Sequence, residues 1–187
     1  MRALAEEIRT PRAYVGESAF FVFAMTYKLR VHIWQGDARI DILETYAGWV
    51  DASDWPEAAV DGIVCGYDLW KGWMQVSEET PLQECRHYVA AAREAFGPGA
   101  TEIEQFYAGL GRGVLGTIAD GDCGIDVMGQ MLETQANDLA FRNHLRAMLA
   151  DALLEHANDM FWQHAIALTE GWAWVRFFLS SLIVLLR

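Results

Sequence analysis

Cysteine, proline and positive charge are scarce in this sequence: 3 Cys, 4 Pro and 14 Lys plus Arg among 187 residues. Cys65, Cys85 and Cys123 are odd in number and share no framework spacing. A disulfide scaffold is thereby excluded, and free thiols in a reducing, intracellular and cytoplasmic setting are expected. The few basic residues face 26 Asp plus Glu, for a formal net charge of −12. Nucleic-acid affinity depends on neutralising phosphates with Lys and Arg, so no nucleic-acid partner is expected. Internal repeats and low-complexity runs are absent as well. The run FFLSSLIVLL at 177–186, ten residues with two Ser, falls well short of the roughly 20 apolar residues that a spanning helix needs. It reads as a buried terminal helix or strand; membrane association, or an end exposed by truncation of a longer chain, are the alternatives. The first residues, MRALAEEIRTPRAY, carry two early Glu and no apolar stretch, so no secretory signal is expected. Gly111–Gly116 lacks the Lys-Ser/Thr of a phosphate loop and reads as a flexible approach to a strand before Cys123. Cys85, His87 and Cys123 lack the usual paired-cysteine spacing of a zinc site, so neither a metal nor a cofactor is expected.

Hydrophobic residues are plentiful, at 53%, with 12% aromatic and 8 Trp. That excludes disorder, and the length suits one domain. The run SAFFVFAMTY, apolar nearly all round, reads as a buried helix with Ser18 as its cap. Residues 29–34 alternate Leu29, Val31 and Ile33 against Arg30, His32 and Trp34, a period-two strand. Gln35-Gly36-Asp37-Ala38 supplies a turn, and the alternation resumes over 39–43, so a β-hairpin is expected. A loop over 47–62 precedes a strand at 63–67, with Trp70, Trp73 and Met74 behind it as packing residues or a substrate-facing surface. Residues 86–90 open either a strand or a helix running to Phe96, and Gly97-Pro98-Gly99 is a break. Helices follow over 101–110, from about 125 to 132, and over 138–156. The fold class is α+β: a small central sheet flanked by helices.

One cysteine stands out for chemistry. Cys123 follows an acidic-glycine turn, Asp120-Gly121-Asp122, at the expected start of a helix. The helix dipole there favours the thiolate, the form that acts as a nucleophile. Unpaired backbone N–H groups of the turn can hold a developing oxyanion. The alternative is a small buried hydrophobe, the common fate of a free cysteine. Of the five histidines, His144, His156 and His164 sit among charged neighbours and read as surface residues, and His32 lies on the polar phase of its strand. His87 leads an apolar run and suits a sheet position beside a strand-to-helix turn.

Asp120-Gly121-Asp122-Cys123 ahead of a helix resembles the nucleophile motif of the ovarian-tumour (OTU) family of papain-like cysteine proteases. Phe141-Arg142-Asn143-His144-Leu145-Arg146 is similar to that family's helix with a short Leu-Arg motif. Tyr14-Val15-Gly16-Glu17 through Trp34 resembles its early loop, helix and strand, and Arg86-His87-Tyr88 resembles its closing histidine strand. These pieces span about two thirds of the chain. The resemblance implies a deubiquitinase-like isopeptidase acting on ubiquitin or a ubiquitin-like protein. Cys123 would be the nucleophile and His87 the general base. Backbone N–H groups around Asp120, Gly121 and Cys123 would form the oxyanion hole. The histidine strand precedes the cysteine here, the reverse of the family order. A circular permutation accounts for this, with a histidine-bearing half at 1–96, a joining segment at 97–117 and a cysteine-bearing half at 118–187. A fragment of a tandem array is the competing account. Two departures stand out. Val89 occupies the place of the family's third catalytic residue, and Gly124 and Asp126 replace larger apolar residues after the cysteine. A catalytically weak or inactive binding module of the same fold is therefore the alternative function.

Overall fold

The computed structural model describes residues 1–65, 87–97, 99–118, 121–133 and 138–170. The expected hairpin is present. Strand β1, His32–Gln35, pairs antiparallel with β2, Ala38–Asp41, in a register that sets Gln35 opposite Ala38. Gly36 and Asp37 form the two-residue loop, and Gly36 has φ +60°, a left-handed conformation that glycine adopts without a Cβ penalty. The strand stops at Asp41, short of the expected 43. The Asp41 carboxylate accepts hydrogen bonds from the N–H groups of Leu43 (2.9 Å) and Glu44 (3.0 Å), and so starts helix α3, Ile42–Tyr46, one residue later.

Strand β3, Asp61–Cys65, lies parallel to β1; β4, His87–Ala92, is antiparallel to β3, and β5, Gly113–Leu115, antiparallel to β4. The mixed five-stranded sheet has the order β2-β1-β3-β4-β5. Residues 86–90 thus resolve as a strand from His87 onward, and the glycine-rich stretch is itself an edge strand; the strand expected after it is not there among the described residues, since 116–118 follow β5 with no regular structure. A Cβ on Gly113 would stand 2.5 Å from the Phe96 ring, so only glycine lets β5 lie this close. Trp70, Trp73, Met74, Cys85 and the apolar 177–186 run fall outside the described residues.

Five longer helices surround the sheet: α1, Arg2–Arg9; α2, Glu17–Tyr27; α4, Glu102–Gly109; α5, Cys123–Met131; and α6, Leu139–Glu155. Residues 160–170 are also helical. The residue before α2 is Gly16, and Ser18 lies buried inside the helix instead of capping it. Thr101 caps α4 in a capping box with Glu104, and the Asp138 carboxylate caps α6. The sequence marks no clear element ahead of Glu17. Helix α1 forms there with only Ala5 and Ile8 buried, too sparse a stripe to stand out.

One face of the sheet, with Val31, Ile33, Tyr88 and Ala90, packs against α2, α5 and α6 in the main core. The other, with Trp34, Ile63, Cys65, Val89 and Ala91, is closed by Ile103 and Tyr107 of α4. Because both faces are covered, the polar phase of β1 is not solvated. His32 is buried with Nε2 3.2 Å from Asp41, and Trp34 donates through Nε1 to the buried Asp61 at 2.8 Å. Arg39 completes the group, donating to Asp61 at 2.9 and 3.1 Å. Among the described residues, no helix is long and apolar enough to cross a membrane.

Candidate active site

The loop before Cys123 is held by charge. Gly121 has φ +90°, and a Cβ there would fall 1.9 Å from the Arg12 carbonyl oxygen. Asp122 is completely buried. Its Oδ1 accepts from Arg146 Nε (3.0 Å) and Nη2 (2.7 Å) and from the Arg12 N–H (3.2 Å), and its Oδ2 accepts from Arg142 Nε (3.1 Å). Arg146, itself fully buried, also donates to the carbonyls of Ile8 (2.8 Å), Ala13 (2.6 Å) and Gly121 (3.4 Å). Burial alone would raise the Asp122 carboxyl. The Arg146 hydrogen bonds and charge, then Arg142 and the Arg12 N–H, bring it below its ordinary value. Arg142 and Arg146 lie in the helix segment that resembles the family's, and no role for them is apparent from the sequence. Their signal was two arginines four apart on the same phase as Leu145 and Leu149.

Cys123 is the first residue of α5, and its thiol is buried. The sulfur accepts the Tyr88 N–H at 3.5 Å. Burial pushes this thiol up; the N–H groups of Tyr88, Gly124 and Cys123 itself oppose the rise, and the nearby Asp126 carboxylate adds to it. The expectation of a thiolate favoured by the helix dipole is therefore corrected: desolvation outweighs the backbone donors in the resting protein. Gly124 explains one departure noted in the sequence. A Cβ there would meet Val15 at 2.7 Å and the Tyr88 ring at 3.4 Å, leaving no room for a larger residue. Asp126 turns inward and accepts the Ile118 N–H at 2.8 Å, fixing the chain that leads to the cysteine loop; burial raises its carboxyl.

His87 opens β4, one residue from the N–H that meets the sulfur, and is buried. Its backbone pairs with Cys65 across the sheet. Burial lowers the imidazole to about 4, so it is neutral at pH 7. Its Nε2 is 3.0 Å from Thr117 Oγ1, whose hydroxyl donates to the Tyr88 carbonyl. The neighbouring Cys65 thiol is pushed up to about 12 by burial and, secondarily, by Cys123. Val89 is fully buried in the cluster under α4 and offers the imidazole no polar partner.

The fold thus brings Cys123 against the backbone of the strand that carries His87, with Gly121 in the preceding turn. Asp120 lies outside the described residues. His144 and His164 are exposed and His156 half-exposed, as the sequence suggested. Among the described residues no group of three His, Cys, Asp or Glu could hold a metal ion. A cleft of about 150 Å³ is lined in part by Tyr14, Val15, Gly16 and Glu17, the segment whose Val15 also touches Gly124. Comparisons with protein-family models, curated proteins and solved structures find no match to this chain.

Proposed function

We propose that this protein is a thiol isopeptidase that removes ubiquitin or a ubiquitin-like modifier from lysine, with Cys123 as nucleophile and His87 as general base. The observation that carries the reading is the meeting of the Cys123 sulfur with the N–H of the residue beside His87. The resemblance of the cysteine turn and the histidine strand to the OTU family supplies the substrate class, and a circularly permuted OTU-like fold accounts for their order.

His87 takes the thiol proton as the sulfur attacks the isopeptide carbonyl. The oxyanion is held by backbone N–H groups around Asp120, Gly121 and Cys123. The C–N bond then breaks, and the imidazolium protonates the departing lysine amine. His87 next takes a proton from water, whose oxygen displaces the sulfur from the thioester and releases the modifier's carboxyl group. The imidazolium returns its proton to the sulfur. A neutral thiol and a neutral imidazole are a workable starting state, because the proton moves only as the carbonyl is attacked.

A modifier bearing a C-terminal electrophile labels the wild-type protein, and Cys123→Ala and His87→Ala abolish the labelling. Labelling that survives Cys123→Ala overturns the assignment. The raised Cys123 thiol and the apolar Val89 favour a second reading, a binding module of the same fold without turnover. It requires modifier binding with no covalent adduct in the same experiment.

A further inference from the structure

We propose that Thr117 is a positioning residue that fixes the tautomer of His87, filling the role that Val89 cannot. The inference rests on the reading of Cys123 and His87 as a catalytic pair. A threonine hydroxyl has one proton and two lone pairs. The Tyr88 carbonyl can only accept, so its bond to Thr117 uses that one proton. Thr117 Oγ1 must then be the acceptor in its 3.0 Å contact with His87, and Nε2 carries the hydrogen. In a neutral imidazole the second nitrogen is consequently unprotonated. Nδ1 presents a lone pair, and it is the atom assigned to receive the Cys123 proton. When it does so, Nε2–H still donates to Thr117, so the same contact holds the ring through both protonation states. Thr117 is anchored for this task. It follows β5 closely, and its bond to Tyr88 ties it to the residue whose N–H meets the Cys123 sulfur. One hydroxyl therefore sets the imidazole relative to the strand that contacts the thiol.

The test uses the full-length protein and two substitutions, Thr117→Val, which keeps the shape and removes the hydroxyl, and Thr117→Ser, which keeps the hydroxyl. Nitrogen-15 NMR of the histidine ring at pH 7 should show His87 with its hydrogen on Nε2 in the wild type and in Thr117→Ser, and a loss of that preference in Thr117→Val. Labelling by the modifier electrophile should fall by about 10²-fold in Thr117→Val, the scale of a lost general base, and recover in Thr117→Ser. A wild-type His87 with its hydrogen on Nδ1 overturns the proposal. So does a Thr117→Val protein that labels at the wild-type rate. The ring spectrum separates this inference from the proposed function: a wild type that shows the Nε2–H tautomer but resists the electrophile removes the isopeptidase and leaves the Thr117 assignment in place.

Discussion

Asp122 carries more of the site's geometry than its exposure or its place in a turn would suggest. Its carboxylate accepts from two buried guanidinium groups, so its removal takes that hydrogen-bonded charge from both in a dry setting. Asp122→Ala is expected to cost about 3–5 kcal/mol, the range for breaking a buried ion pair from one side. Urea unfolding measures it. The same substitution in an Arg146→Met background should cost less, because Arg146 is then no longer left unpaired. As candidates, Cys123 and His87 were legible at this scale, since their residue types and immediate neighbours carry the signal. The partners that hold them were not. Asp122 and Arg146 are 24 residues apart, and Thr117 and His87 are 30 apart. No local pattern marks such pairs, which form only once the sheet and α6 are in place.

Among the secondary-structure elements, legibility followed the locality of the signal. Helices α4 and α6 begin at side chains that can be read from the sequence, Thr101 and Asp138, because a cap bonds within three residues of itself. Thr101→Ala is expected to lower stability by about 1 kcal/mol through loss of that cap, read from the shift in urea midpoint. Strand β5 was missed because a backbone ladder needs no side-chain periodicity, and its glycine is there to admit Phe96. The polar phase that holds His32 is buried because alternation reports which residues share a side of a strand, and not what a distant helix later lays over that side. Helix α5 has a close-packing constraint of its own. Gly124→Ala should cost about 1–3 kcal/mol by forcing Val15 and the Tyr88 ring apart, again measured by unfolding.

For the whole molecule, the buried imidazole couples folding to pH. His87 has a folded value near 4 against an ordinary 6.5, so the unfolded chain binds a proton that the folded chain refuses. Stability should therefore fall as pH is lowered from about 6.5 to about 4. His87→Gln should flatten that part of a plot of urea midpoint against pH. Asp122 acts further toward acid: its lowered carboxyl supports the fold above the ordinary carboxylate range, and that support is lost as pH drops through the lowered value. A single core cluster joins residues from Ala5 to Ile166, so the segments before and after the Gly97 break share one interior.

Arg146 reaches from the cysteine turn to the carbonyls of Ile8 and Ala13, and this bears on how the polypeptide can be trimmed. A version begun at Tyr14 would delete both of those acceptors and strand part of a guanidinium in the interior. The reactive end of α5 would then slacken although no residue of α5 itself had been changed.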